Sequence, residues 1–220
     1  MTRPPVLAHQ RVAADTAAFA GLGLAARFER IHATNLWGAA TSRAGLGSEP
    51  TATERVTTAL PAVLARCGVR TLLDAPCGET RWLRALPGVR VIGVDIVPAV
   101  IEQARRTTGG DFRLADVTSD ALPRADAILC RDCLVHLSFA NIARAVANFR
   151  ASGATWLLTT TFTDWDANAD CADGDWRALN LTRAPFGWPA PVEIIDEGCI
   201  EGDGAWADKV IGVWRLSDLP

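Results

Sequence analysis

The 220-residue sequence contains no tyrosine, a single lysine (Lys209) and three histidines. Without tyrosine, no phenol can serve as an acid or base in whatever reaction the chain performs. A lone lysine leaves histidine and the carboxylates as the main groups for proton transfer near neutral pH. These absences narrow the search for a reactive site to very few side chains.

Basic charge and long apolar runs are also scarce. Lys and Arg together number 22 against 25 Asp and Glu, a net charge of -3, so a nucleic-acid partner is not expected. No run of about 18 apolar residues is present, which excludes a membrane-spanning helix. The first residues form no apolar leader, so we expect a cytoplasmic protein. In such a protein the six cysteines, including the pair in Cys130-Arg131-Asp132-Cys133, are expected to be packed thiols.

Strand-like and helix-like segments alternate from residue 69 onward. Strands are predicted over 69–75, 89–95, 111–116, 125–130 and 155–160, and helices over 79–86, 98–108 and 138–150, with Ser138 as an N-cap. Alternation of this kind is typical of a doubly wound, mostly parallel α/β sheet. Residues 192–195 and 210–214 lack the helix that a parallel crossover needs, so we expect an antiparallel C-terminal hairpin. Residues 1–35 and 51–66 are predicted to form an N-terminal helical extension, the second helix starting with a Thr51/Glu54 capping box.

The first strand runs into the turn Asp74-Ala75-Pro76-Cys77-Gly78, and the second strand ends about 20 residues later on Asp95. A small-residue turn followed at this distance by an acid is typical of a site for an adenosine-containing cofactor, whose ribose the acid binds. The turn lacks the G-x-G-x-x-G that dinucleotides require. A cofactor with adenosine but no pyrophosphate therefore fits better than NAD.

These residues, with Asp116 after the third strand and the terminal hairpin, resemble a class I S-adenosylmethionine (SAM)-dependent methyltransferase over residues 69–216. The resemblance implies a Rossmann-like fold with SAM as cofactor. It further implies that Asp74 and the backbone of 75–78 lie near the methionine, Asp95 at the ribose, and Asp116 with Val117 at the adenine. The residues expected to bind SAM are Trp37, Asp74, Ala75, Pro76, Cys77, Gly78, Asp95, Ile96, Asp116, Val117, Cys130 and Arg131.

Longer segments carry a narrower resemblance, to the mycobacterial sugar O-methyltransferases of polymethylated mannose polysaccharide synthesis. They are Trp37-Gly38 with Ser42, and residues 130–138, 157–162, 174–181 and 207–209. The resemblance implies methylation of the 1-hydroxyl of a short mannoside. A methyltransferase of another small molecule and a nicotinamide-dependent oxidoreductase remain the alternatives.

A sugar hydroxyl is a poor nucleophile, so the reaction calls for a general base. His136 is our first candidate because it lies just beyond the carboxyl end of a strand, whereas His9 and His32 belong to the N-terminal helices. Asp132, four residues earlier, is expected to orient His136 if the segment turns helical. A carboxylate as the base, and a packed structural His136, are the competing interpretations.

Residues 163–191 form an irregular insert rich in tryptophan and acids, and we predict that it binds the acceptor. Aromatic faces stack on pyranose rings, and polar groups bind their hydroxyls. The candidates are Trp165, Asp175, Trp176 and Asn180. Asp164, Asp166, Asn168, Asp170 and Asp175 resemble a calcium loop, but Ala169 stands where glycine is required. No metal site is assigned, although an assisting divalent ion stays open.

The expected organisation is one domain. Residues 1–68 form helices and a loop over the cofactor, 69–162 the SAM-binding core, 163–191 the acceptor insert and 192–220 the hairpin. The expected partner is a small sugar or oligosaccharide, with no nucleic acid or membrane, and a homodimer is left open.

Overall fold

The computed structural model describes residues 3–79, 83 and 86–220. Five helices and seven strands are present in this part of the chain. The helices are α1 (Leu7–Ala14), α2 (Leu24–Thr34), α3 (Pro50–Arg66), α4 (Pro98–Thr108) and α5 (Phe139–Ala151). The strands are β1 (Thr71–Asp74), β2 (Arg90–Asp95), β3 (Asp111–Leu114), β4 (Ala127–Cys130), β5 (Trp156–Phe162), β6 (Glu193–Asp196) and β7 (Lys209–Arg215). The helix predicted over 79–86 falls on residues 80–82 and 84–85, which lie outside the described residues.

The strands form one sheet in the order β3-β2-β1-β4-β5-β7-β6. The first five strands are parallel, and β7 pairs antiparallel with both β5 and β6. The predicted doubly wound sheet with an antiparallel end is confirmed. Its order reverses between β1 and β4, the place where open α/β sheets bind their ligands beyond the strand carboxyl ends.

Alternating side chains on the strands build a core on each face of the sheet. Leu73, Ile128 and Leu157 pack in one cluster with Phe149 of α5. Their neighbours Leu72, Leu129 and Leu158 point the other way and pack with Leu60 and Leu64 of α3. Because both faces are buried at the centre of the sheet, β1 and β4 are mainly apolar rather than alternating in polarity.

The two predicted helix starts differ in outcome. The Ser138 hydroxyl accepts a hydrogen bond from the Asn141 amide at 3.3 Å, so it caps α5 as expected. Helix α3 instead begins one residue before Thr51, at Pro50, and its N-cap Glu49 makes no capping hydrogen bond. The expected Thr51/Glu54 capping box therefore does not form, because Pro50 already occupies the first helical position, which suits its fixed φ.

None of the helices in the described ranges has the length and apolar content that crossing a bilayer requires.

Candidate active site

A cleft with an empty volume of about 990 Å³ lies at the carboxyl ends of β1, β2 and β4. Ten of the twelve residues predicted to bind the cofactor line it. They are Trp37, Asp74, Pro76, Cys77, Gly78, Asp95, Ile96, Asp116, Val117 and Arg131.

The other two predicted residues, Ala75 and Cys130, are buried in the sheet behind the cleft. The Ala75 amide donates to the Leu129 carbonyl at 2.9 Å, and the Cys130 carbonyl accepts from the Thr159 hydroxyl at 2.7 Å. Their backbones thus hold β1, β4 and β5 together. Cys133 lines the cleft instead of Cys130, and a hydrogen bond between its thiol and Cys130, together with burial, raises the pKa of the Cys133 thiol far above the usual value.

Two buried carboxylates give the cleft its chemistry. Asp95 accepts hydrogen bonds from the amides of Gly78 at 3.0 Å and Val97 at 2.9 Å, and burial raises its pKa to about 6. Asp74 is 2% exposed, and burial together with the nearby Asp95 raises its pKa well above the usual range. Its Oδ2 has no hydrogen-bond partner among the described residues.

Buried acceptors of this kind need donors. The ribose hydroxyls and the α-ammonium of SAM supply both a pair of hydroxyl donors and a positive charge. The residues present therefore fit this cofactor, and Asp95 at the ribose and Asp74 at the methionine end stay a prediction.

Asp116 serves the local backbone as well as the cleft. Its Oδ1 accepts from both the amide and the hydroxyl of Thr118, each at 2.7 Å. This is the turn-capping role that short acidic side chains often play. Asp116 and Val117 still line the cleft, so the carboxylate has a structural role and faces the expected adenine position.

The N-terminal region contributes more of the cleft than the sequence indicated. Leu24, Phe28, Ile31 and His32 of α2 line it. In the following loop, Arg43 donates to the carbonyls of His32 at 3.2 Å and Ala33 at 2.8 Å, which ties the loop to α2. Only Trp37 was predicted here. The amphipathic pattern of α2 predicts that one face of the helix is buried, but it does not predict that this face lines the cleft.

A second cavity, with an empty volume of about 540 Å³, adjoins the cofactor cleft. The two share Trp37, Ala44, Asp132 and His136. Its walls include the aromatic side chains of Phe162, Trp176 and Trp206. We call it the acceptor cavity, because a group bound there meets the cofactor cleft at Asp132 and His136.

His136 lies at this junction with its ring fixed on two sides. Its Nδ1 is 2.7 Å from the Asp175 carbonyl oxygen, and its ring stacks on Trp37 with centroids 4.1 Å apart. Because a carbonyl only accepts, we assign the proton to Nδ1, which leaves the Nε2 lone pair available. Burial lowers the pKa of His136 to about 4, so the ring is neutral near pH 7.

Asp132 does not make the orienting contact that we expected with His136. It adopts a left-handed backbone conformation with φ of 51°, and its Oδ2 lies 2.7 Å from Lys209 Nζ and 3.4 Å from Arg131 Nη1. Burial alone would raise the pKa of Asp132, but Lys209 and Arg131 outweigh it and hold the pKa well below its usual range. Asp132 is therefore a fixed anion at the junction, and the Asp175 carbonyl orients His136 in its place.

The four predicted acceptor residues separate into different roles. Trp176 lines the acceptor cavity, whereas Trp165 packs against Trp206 with centroids 5.6 Å apart. Asp175 carries the His136 contact on its carbonyl. Asn180 is buried and donates to the carbonyls of Thr163 and Trp165 at 3.1 and 3.0 Å, so it stabilises the insert rather than facing the cavity.

One part of the acceptor cavity was not predicted, and it comes from the connection between β6 and β7 and from the first residue of β7. Cys199, Glu201, Trp206 and Lys209 line it. The lone lysine was a signal in the sequence, because buried lysines require partners, but its partner Asp132 is 77 residues away.

Two acids of the segment 164–175, Asp170 and Asp173, contact the start of helix α5. Asp173 accepts from the Ser138 amide at 2.7 Å and the Asn141 side chain at 2.9 Å, and Asp170 accepts from the Phe139 amide at 2.8 Å. Acids at a helix N-terminus accept hydrogen bonds from its free amides and interact favourably with the helix dipole. Over the described ranges, no three His, Cys, Asp or Glu side chains are grouped as a metal ion would require.

Residues 72–152 match a protein-family model described as "Methyltransferase domain". The search of curated proteins gave no match. Among solved structures, the chain is similar to N-methyltransferase NodS from Bradyrhizobium japonicum WM9 in complex with S-adenosyl-L-homocysteine, with a TM-score of 0.60 and 18% identity, covering 86% of this chain and 97% of that one. It is also similar to the methyltransferase domain of bacterial CtHen1-CN, with a TM-score of 0.55 and 14% identity over 74% of this chain and 98% of that one.

At these identities the two structures show a shared fold. Residues 72–152 are therefore similar to a methyltransferase domain, on a fold that the chain shares with the S-adenosyl-L-homocysteine complex of NodS.

Proposed function

We propose that the chain is an O-methyltransferase that transfers the methyl group of SAM to a hydroxyl of a small sugar, and that the acceptor is the 1-hydroxyl of a short mannoside. The observation that carries the proposal is the aromatic acceptor cavity, which meets the cofactor cleft at a neutral, oriented histidine. The mannoside assignment rests on the resemblance of the sequence segments around Trp37, Cys130 and Gly174.

When bound, SAM supplies an electrophilic methyl group on a sulfonium. The residues of the chain hold the two reactants in line and manage one proton. Alignment of this kind provides much of the rate gain in a displacement reaction. Asp95 binds the ribose and Asp74 the methionine end of the cofactor, and Trp37 lines both the cofactor cleft and the acceptor cavity.

His136 is the group that takes the proton from the acceptor hydroxyl. Its Nδ1 proton is committed to the Asp175 carbonyl and its Nε2 lone pair is available. A base with a pKa near 4 is weak, but the hydroxyl becomes strongly acidic as its oxygen bonds to the methyl. Proton transfer late in the displacement therefore suits such a base.

The walls of the acceptor cavity fit an uncharged sugar. Phe162, Trp176 and Trp206 offer aromatic faces against which the apolar face of a pyranose stacks. The lysine of this cavity is already paired, because Lys209 lies 2.7 Å from Asp132 and 3.5 Å from Glu197. An anionic acceptor therefore finds no uncompensated positive charge at Lys209.

The proposal is tested by methyl transfer from SAM carrying a labelled methyl group. The acceptors are mannobiose with a free reducing end, its 1-O-methyl derivative, a small phenol and a primary amine. We expect label only in free mannobiose, because the 1-O-methyl derivative has no free 1-hydroxyl. Transfer to the phenol or the amine but not to the sugar would contradict the proposal.

The N-terminal segment covers the acceptor cavity, and His9 anchors it. Val6, Leu7 and Ala8 line the cavity, Arg3 pairs with Asp208, and His9 Nδ1 lies 2.8 Å from Asp175 Oδ1. Asp175 is also the residue that orients His136. We expect His9→Ala to raise the acceptor KM about fivefold, the equivalent of one hydrogen bond of ~1 kcal/mol, without weakening SAM binding.

Steady-state kinetics and calorimetric SAM titration measure both quantities. Arg30→Ala is the matched control, because it breaks a partly exposed contact with Asp15, 3.0 Å long, elsewhere in the N-terminal region. If His9→Ala and Arg30→Ala give the same acceptor KM, His9 does not anchor the segment over the cavity.

A further inference from the structure

A third cavity lies beyond the acceptor cavity. It has an empty volume of about 670 Å³. The two cavities share a wall made of Leu46, Cys199, Glu201 and Lys209. Whatever fills the acceptor cavity therefore contacts residues that also border this space.

The third cavity differs in chemistry from the acceptor cavity. No aromatic residue is among those that line it in the described part of the chain. Its polar lining comes from the start of α3, with Glu49 and Thr51, and from the segment after β6, with Glu197 and Glu201. A ligand here is held by hydrogen bonds rather than by ring stacking.

Glu197 lines this cavity and has one carboxylate oxygen that accepts no hydrogen bond from the described residues. It is 3% exposed, and its Oε2 accepts from Arg131 Nε at 2.9 Å and lies 3.5 Å from Lys209 Nζ. Its Oε1 has no hydrogen-bond partner within the described ranges. Buried polar atoms are rarely left in this state, and each exception calls for an explanation.

The charged residues around Glu197 indicate what kind of ligand can donate a hydrogen bond to it. Arg131 donates to Glu197 and to the carbonyls of Gly47 at 2.7 Å and Ala52 at 3.3 Å, while Lys209 pairs with Asp132. Arg131 and Lys209 are therefore both paired with carboxylates, so neither offers an unpaired positive charge to an anionic ligand. Burial raises the pKa of the nearby Glu201, and its carboxyl group accepts hydrogen bonds from hydroxyl donors. An uncharged ligand with several hydroxyls matches this lining.

We propose that the third cavity is a distal subsite for a second, uncharged polyhydroxylated unit of the acceptor, reached past the wall of Leu46, Cys199, Glu201 and Lys209. The inference rests on the proposed function, because it concerns the same acceptor. It adds that the enzyme discriminates acceptors by length: the unit to be methylated occupies the aromatic cavity and the next unit occupies the polar one.

The test compares mannose and mannobiose, which present the same free reducing end, in wild-type and filled-cavity variants. Thr51 and Ile200 are exposed and line the third cavity but not the acceptor cavity. We expect wild-type kcat/KM to be at least about tenfold higher for mannobiose, a difference that a few hydrogen bonds supply. Thr51→Trp and Ile200→Trp should each bring the ratio near one by filling the subsite, with the mannose value unchanged, whereas Thr51→Ser should keep the wild-type ratio.

Each other outcome overturns a distinct statement. Equal wild-type kcat/KM for both sugars, or a preference for mannobiose that survives both tryptophan variants, overturns the distal subsite and leaves the sugar methyltransferase intact. An equal loss for both sugars makes the cavity a passage rather than a subsite, and also overturns the inference. Failure to methylate either sugar while the phenol or amine is methylated overturns the proposed function itself.

Discussion

Replacing His136 with glutamine is expected to lower kcat about 100-fold or more while leaving SAM binding nearly intact. A general base typically contributes a factor of roughly 10²–10⁴ to the rate. Glutamine preserves much of the ring's shape and its stacking on Trp37, but it offers no comparable basic lone pair. Steady-state turnover at saturating SAM and acceptor measures the first quantity, and calorimetric titration with SAM the second.

His32→Gln is the matched comparison. His32 lines the cofactor cleft but not the acceptor cavity, so its substitution should change the Kd for SAM and leave kcat at saturating SAM within about threefold. If His136→Gln retains near-normal turnover, His136 is a packed residue, and a carboxylate becomes the candidate base.

The pH dependence of acceptor kcat/KM provides a second signature of His136. Burial lowers its pKa from 6.5 to about 4. A lowered pKa means that the ring stays neutral, and able to accept a proton, down to lower pH. At saturating SAM we therefore expect an acid limb near pH 4, and activity still close to maximal at pH 6.5. That limb should be absent from the residual activity of His136→Gln.

SAM must be saturating in this experiment because Asp95 titrates in a different range. Its pKa is raised to about 6, so protonation removes the negative charge from the expected ribose contact as pH falls through about 6. The KM for SAM should rise below that pH while kcat is still maintained. The two groups are thus distinguished by the parameter that each one changes.

Replacing Asp95 with asparagine is expected to weaken SAM binding about 100-fold or more. Hydrogen bonds to a charged group contribute roughly 1.5–3 kcal/mol each, and two ribose hydroxyls are expected to donate to this carboxylate. The carboxylate also accepts from the amides of Gly78 and Val97. An asparagine amide would direct N–H groups at one of these amides, so the turn itself is disturbed. Calorimetric titration with S-adenosylhomocysteine measures the loss.

Asp116→Asn is the control for this substitution. The Asp116 Oδ1 already caps the turn at Thr118, so we expect only about a tenfold loss in affinity, the equivalent of one hydrogen bond. Thermal unfolding of both variants separates lost binding from lost folding. An Asp95→Asn protein that binds S-adenosylhomocysteine within a few-fold of wild type would remove Asp95 from the ribose site.

The fold was predictable because its signals are local. Strand runs such as Leu72 and Leu73, the Ser138 cap and the connection without a helix before β7 each depend on neighbouring residues. The carboxyl-end acids followed from topology, since parallel strands bring Asp74 and Asp95 to one edge. These features were enough to predict most of the residues that line the cofactor cleft.

The acceptor side was less predictable because its contacts join distant segments. His136 is oriented by a carbonyl 39 residues away and Asp132 is held by a lysine 77 residues away. Residue spacing within one helix reveals only contacts between neighbours along the chain. It therefore suggested a contact between Asp132 and His136 and gave no indication of the distant partners. Likewise, the tryptophans of the insert gave no indication that Trp176 lines the cavity while Trp165 packs beside it.

The most direct test of the central claim is the structure of the complex with S-adenosylhomocysteine and mannobiose. We predict the ribose hydroxyls on Asp95, and the 1-hydroxyl oxygen within hydrogen-bonding distance of His136 Nε2, facing the sulfur across the junction of the two cavities. A cofactor in this cleft with the sugar bound elsewhere, or with its 1-hydroxyl turned away from His136, would contradict the account.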